Sequence, residues 1–257
     1  MIEAQGLSKK YQDTLVVNDV SVQISKGGLT AIIGPNGAGK STFLSMISRL
    51  TPMSAGSVKI DGLDVTRTAG KELAKRLSIL RQHNESSLRL TVRDLVAFGR
   101  FPHSGGRLTA QDQQHIDEAI AYLELEEYQD RHLDELSGGQ RQRAYVAMVM
   151  CQDTDYILLD EPLNNIDMRH AVGMMQLLRR AADEKGKTVV VVLHDINFAS
   201  CYADHIIAMR HGQLAYQGAP QHIITNEVLS DLYDIPMQVH ELGEQRICVY
   251  FRQFQAS

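Results

Sequence analysis

Thr30-Ala31-Ile32-Ile33-Gly34-Pro35-Asn36-Gly37-Ala38-Gly39-Lys40-Ser41-Thr42 is the stretch that decides the fold. A short apolar strand runs into a loop of the pattern G-x-x-x-x-G-K-[ST], and Ser41 to Leu50 follows with helical periodicity. Strand before and helix after are the context this pattern requires. Glycines let backbone N–H groups turn inward around phosphates, and the helix N-terminus adds a favourable dipole. Lys40 then reaches the outer phosphates and the Ser41 hydroxyl suits Mg²⁺. The run Gly34, Pro35, Asn36, Gly37, Ala38, Gly39, Lys40, Ser41 and Thr42 therefore predicts a cradle for a nucleoside triphosphate, ATP with magnesium, rather than an ordinary glycine-rich turn.

Outward from the loop, Ile2 to Ile24 is rich in Val and Ile with loose alternation, which predicts antiparallel strands. Gly56 to Gly62 reads as a strand ending in a turn, and Leu77 to Leu80 as a short strand. Residues 83–135 change character. Thr91 is placed to cap a helix running to Gly99, and Thr109 with Asp112 to cap one carrying Ile116, Ala119, Ile120 and Leu123. Helices near Gln140–Cys151 and Ala171–Lys185 flank a strand at Tyr156–Leu159. The uninterrupted Thr188-Val189-Val190-Val191-Val192-Leu193 is expected of a parallel strand buried on both faces. The expected class is α/β: a P-loop core with a mainly parallel sheet, an N-terminal antiparallel β part and an inserted helical subdomain. One domain over 1–257 divides into 1–82 with 136–225 (core), 83–135 (insert) and 226–257, a helix near Asn226–Tyr233 followed by a small hairpin.

The chain's 257 residues, 44% hydrophobic, suffice for a packed core, and its formal charge of −5 is dispersed. Lys and Arg form no dense basic stretch, which argues against nucleic acid as a partner. Cys151, Cys201 and Cys248 are odd in number and far apart, so they read as reduced, buried core thiols rather than a disulfide or metal framework. No run approaches the ~18 apolar residues of a membrane span, and the start lacks an apolar leader. A cytoplasmic protein is expected, free to dock onto a membrane partner.

Tyr156-Ile157-Leu158-Leu159-Asp160-Glu161 is an apolar strand ending in two carboxylates. Asp160 is placed to hold Mg²⁺ opposite the phosphate loop, and Glu161, one residue closer to the outer phosphate, to orient and partly deprotonate an attacking water. Leu136-Ser137-Gly138-Gly139-Gln140 opens a helix and so forms a second anion-seeking helix N-terminus.

These motifs, in this order and spacing, resemble the ATP-binding cassette ATPases: a Walker A loop at Gly34–Thr42, a signature at Leu136–Gln140 and a Walker B strand at Tyr156–Glu161. The resemblance covers nearly the whole chain. It implies head-to-tail pairing of two copies, with Ser137, Gly138, Gly139 and Gln140 of one facing the phosphate held by Lys40 of the other. It further implies that Gln82 is the Q-loop glutamine contacting Mg²⁺ or water, that His194 is the switch histidine at the γ-phosphate, and that Tyr11 stacks on adenine. Asn165-Ile166-Asp167 occupies the D-loop, where a small residue followed by Leu-Asp is commoner; Asp167 is kept.

Gly99-Arg100-Phe101-Pro102-His103, Pro162 to Met168 and His194 to Ala199 resemble the importer branch serving ferric siderophores, haem and vitamin B12. Asp195 to Asp204 is most like the ferric-siderophore importers of the catecholate type. This resemblance implies two permease subunits as partners, a binding protein acting through them, and a place on the cytoplasmic side of the bacterial inner membrane. Residues 83–107, entered through Gln82, are expected to form much of the groove that receives the permease. A haem, vitamin B12 or metal importer is the alternative, and a soluble cassette acting on nucleic acid or the ribosome is the rival of another class. The latter usually carries a long coiled coil or a second cassette, and neither is present.

Overall fold

The computed structural model describes residues 1–82 and 89–250. Its first part runs β1 (Ile2–Tyr11), β2 (Thr14–Ile24), β3 (Gly28–Ile33), α1 (Lys40–Ile47), β4 (Ala55–Ile60), β5 (Leu63–Asp64), α2 (Gly70–Ala74) and β6 (Leu77–Leu80). The insert contributes α3 (Val92–Phe98), α4 (Phe101–Ser104) and α5 (Ala110–Tyr122). There follow α6 (Gly138–Cys151), β7 (Tyr156–Asp160), α7 (Met168–Lys185), β8 (Thr188–Val192), α8 (Ile196–Tyr202), β9 (His205–Arg210) and β10 (Gln213–Gly218). The chain closes with α9 (Pro220–Ile223), α10 (Asn226–Tyr233), β11 (Gln238–Leu242) and β12 (Gln245–Val249).

The central sheet has six strands in the order β10-β9-β3-β8-β7-β6, parallel except for β10. Its inner strands β9, β3, β8 and β7 are buried nearly throughout without alternation because both faces are covered, whereas the edge strand β10 alternates between exposed and partly buried residues. Ile157, Leu159, Val189 and Val191 enter one core with the helices of the insert and α7, while Tyr156, Leu158, Val190 and Val192 enter another beneath the antiparallel sheet. Successive side chains of a strand point to opposite faces, so one run feeds both cores. A fully buried valine contributes roughly 1.5–3 kcal/mol of transfer free energy, which makes this run a main source of stability. The antiparallel sheet, ordered β2-β1-β4-β5, forms the expected N-terminal part.

Several boundaries differ from the sequence reading for identifiable reasons. Helix α1 ends at Ile47 rather than Leu50, because Arg49 turns left-handed at φ 61° and sends its guanidinium to the carbonyls of Val65 and Thr68. Helix α7 starts at Met168, ahead of Ala171, because the Asp167 side chain accepts from the His170 N–H and caps it. The hairpin β9–β10 was not anticipated. It closes through His211 and Gly212 at φ 49° and 77°, positive values like those of a type I′ turn, for which Asn-Gly is the usual sequence signal. Cys151 and Cys248 are buried as expected, whereas Cys201 is only partly so.

Both expected caps, Thr91 and Thr109 with Asp112, are present, and Asp94 completes a capping box with Thr91 that was not anticipated. Arg100 and Asp112 form an ion pair at 2.9 Å with both side chains only 6% exposed, and Arg100 also donates to the Cys151 carbonyl at 2.9 Å. The insert is thereby fastened to the C-terminal end of α6. Residues 83–88, at the entrance of the insert, and 251–257, at the end of the last unit, lie outside the described residues. The closing hairpin sits on α8: the Asn197 amide accepts from the Cys248 N–H at 2.8 Å and donates to its carbonyl at 3.3 Å, as a strand neighbour would.

Candidate functional site

Four strand ends converge because four neighbouring strands, β3, β8, β7 and β6, are parallel and finish on the same edge of the sheet. The carboxyl edge of such a sheet is where ligands of α/β proteins bind. The loop after β3, Gln82 after β6, Asp160 and Glu161 at the end of β7, and His194 after β8 all arrive there. An open cleft is lined by Val16, Asn36 to Thr42, Gln82, Glu161, Asn164, Asn165 and His194.

The loop itself needs glycine at its first position. Gly34 has φ 140°, and a Cβ there would lie 2.0 Å from the Met209 carbonyl oxygen. Lys40, 5% exposed, folds its ammonium back onto the carbonyls of Gly34 at 2.7 Å and Pro35 at 3.0 Å. Burial lowers its pKa, opposed by the Glu161 and Asp160 carboxylates. Asp160 is pushed upward by burial, against the stabilising hydrogen bond from Ser41. That bond, Ser41 Oγ to Asp160 Oδ1 at 2.8 Å, brings together two hard oxygen donors of the kind Mg²⁺ prefers.

Glu161 is held most tightly. Its backbone is left-handed at φ 53° and its side chain 6% exposed. Oε2 accepts from Gln82 Nε2 at 2.6 Å and from the Asn164 amide, while Oε1 lies 2.6 Å from His194 Nε2. The structure thus joins Gln82, Glu161 and His194, far apart in sequence, in one cluster. Asn164 was missed by sequence reasoning; its signal was a side-chain donor spaced to fold back on Glu161.

The other predicted residues stand apart from this cleft. Ser137 caps α6, and its hydroxyl accepts from the Gln140 N–H at 3.3 Å while the Gln140 side chain accepts from the Ser137 N–H at 3.0 Å. Among the described residues no acceptor takes the Ser137 hydroxyl proton, and Ser137 and Gly138 are exposed. Gly139 is buried against His170, whose ring would lie 2.8 Å from a Cβ placed there. Asp167 holds that ring at 2.6 Å, and the His170 N–H and ring bonds keep its carboxyl below the usual range. Tyr11, at the end of β1, is 48% exposed with the Lys9 ammonium 4.8 Å from its ring centroid; it does not line the phosphate cleft.

A family model described as ABC transporter matches residues 17–164. The petrobactin import ATP-binding protein YclP of Bacillus subtilis (strain 168) is 52% identical over 251 residues, 98% of this chain and 100% of that one. The ferric enterobactin transport ATP-binding protein FepC of Escherichia coli (strain K12) is 40% identical, covering 91% and 87% respectively. Among solved structures, the dimeric post-hydrolysis state of the ATP-binding cassette MJ0796, bound to ADP and Pi, superposes with TM-score 0.77 at 28% identity, over 86% of this chain and 99% of that one. An inward-facing transporter described as of the metal-chelate ABC type superposes at TM-score 0.83 and 25% identity, over 97% and 98%. A phosphate loop, paired carboxylates and a helix-capping signature laid out on this sheet, together with a family match over more than half its length, place the chain in the ABC transporter family.

Proposed function

We propose that this chain is the ATP-hydrolysing subunit of an importer for ferric siderophores. The observation that carries the reading is the Glu161 cluster, a buried carboxylate oriented by Gln82, Asn164 and His194 beside the phosphate loop. Lys40 and the amides of Gly34 to Thr42 bind the outer phosphates, and Tyr11 stacks on adenine beyond the cleft. Ser41 and Asp160, with Gln82, would hold Mg²⁺, which would neutralise phosphate charge there. Glu161 orients the attacking water and takes up its proton, and His194 contacts the γ-phosphate. The exposed Ser137, with Gly138, Gly139 and Gln140, completes the site of a second copy. Asp167 stiffens the segment between cleft and signature.

The cargo reading rests on the relatives, which are named for petrobactin, enterobactin and hydroxamate transport. Cargo touches no part of the ATP site. Among the described residues no helix is long and apolar enough to cross a membrane. The relatives' names as import ATP-binding proteins support attachment to the cytoplasmic face through two permease subunits. Phe98 and Phe101, 51% and 62% exposed on the insert, supply apolar surface for that contact.

The test is Glu161→Gln, assayed by phosphate release with and without the permease. Loss of the base is expected to cut turnover by about 10²- to 10⁴-fold with ATP binding retained. Near-normal turnover removes Glu161 from this role.

A further inference from the structure

Glu161 has about four lone-pair positions on its two oxygens when ionised. Among the described residues three are engaged: both on Oε2, by Gln82 and Asn164, and one on Oε1, by His194. We propose that Asn164 is a positioning residue for ATP hydrolysis, its amide pinning Oε2 together with Gln82 so that the free lone pair on Oε1, beside His194, is the one presented to water. The inference rests on Glu161 being the base.

The backbone is built for this contact. Glu161 enters the left-handed region at φ 53°, and its carbonyl accepts the Asn164 N–H at 3.2 Å. That turn carries the Asn164 side chain back over the carboxylate it follows by three residues. Without it, the carboxylate is held at Oε2 by Gln82 alone, and Gln82 belongs to a different strand end that leads into the insert. Asn164 thus keeps Glu161 aimed through a local bond, whatever the insert does. The role needs a neutral side chain with an N–H donor of this length. Serine is too short, and aspartate carries no donor and faces Glu161 with a like charge. The titratable groups around the pair are Lys40 from α1, Asp160 from β7 and His194 after β8.

A mere turn-former gives the opposite ranking of variants, which makes the test decisive. Asn164→Asp keeps size and turn propensity but removes the donor, whereas Asn164→Ala removes both. Steady-state phosphate release and ATP binding are measured on the complete cassette with Mg²⁺. For Asn164→Ala, kcat is expected to fall by about tenfold, the worth of one charge-assisted hydrogen bond, with ATP affinity within about threefold of wild type. Asn164→Asp is expected to fall by roughly a further tenfold. Asn164→Asp more active than Asn164→Ala, or wild-type kcat in Asn164→Ala, overturns the proposal; the alanine variant decides alone where the aspartate variant fails to fold. Glu161→Gln run in parallel separates the two readings. Turnover retained there overturns the base and Asn164 together, and turnover lost there with an unaffected Asn164→Ala overturns Asn164 only.

Discussion

Arg100→Met tests how the insert is fastened to the core. Both partners of the Arg100–Asp112 pair are 6% exposed, so solvent screening does not discount the interaction as it would on a surface. Removing the guanidinium leaves the Asp112 carboxylate buried without its counter-charge and the Cys151 carbonyl without this donor. Breaking a buried pair in this way costs about 3–5 kcal/mol. For a chain of this size each kcal/mol is worth about 2–4 °C, so the Tm is expected to fall by about 6–20 °C. Arg100→Met combined with Asp112→Asn removes the stranded charge, and recovers part of the loss. The pH dependence has a definite sign. The Thr109 N–H, followed by Arg100, holds Asp112 down at about 2, below its unfolded value. A depressed carboxylate stabilises the fold above its unfolded pKa and loses that contribution as pH falls towards 2. Wild-type stability therefore declines between about pH 4 and 2, and Arg100→Met declines less steeply there. Urea unfolding followed by circular dichroism at pH 7 and pH 3 reads both effects. A loss below about 1 kcal/mol at pH 7, the range of an exposed pair, refutes the argument.

Lys40→Ala removes the buried cation of the phosphate loop, and ATP affinity is expected to drop by about 100-fold, roughly 3 kcal/mol, in calorimetric titration. Unchanged affinity sinks the role given to Lys40. Asn197→Ala leaves the backbone N–H and carbonyl of buried Cys248 without their partner, which is expected to cost about 1–3 kcal/mol. A thermal melt identical to wild type shows that the closing hairpin is not held through this amide.

The core and the phosphate loop were legible because their signals are local. A β-branched run, a glycine loop and Ser/Thr-x-x-Asp or Gln caps each act within a few residues, and the structure uses all of them. What was not legible depends on contacts distant in sequence. Hairpin β9–β10 turns on His-Gly, a weak signal, and is fixed by pairing of β9 with β3 about 175 residues earlier. The left-handed backbone at Glu161 is likewise invisible in the string Asp-Glu-Pro-Leu, and without it Asn164 gives no hint that it folds back on the carboxylate.

The segment from Glu161 to His170 connects two sites that share no cleft within one chain. At its start Glu161, Asn164 and Asn165 line the phosphate cleft. In its middle, Asn165 is left-handed at φ 60°, and its carbonyl would lie 3.0 Å from a Cβ on Gly138 of the signature. At its end Asp167 caps α7 and fixes the His170 ring against Gly139. The backbone that carries Glu161 therefore continues within a few residues into the stretch that packs against the N-terminus of α6. Only Glu161 and Pro162 of the stretch are buried, while Asn165 and Asp167 to Arg169 are exposed, so it is held at its contacts with Gly138 and Gly139 and not by close packing along its length. At the far end of α6, about 20 Å away along the helix, the buried Arg100–Asp112 pair fastens the insert, so the cleft-lining segment and the insert are tied to opposite ends of one helix.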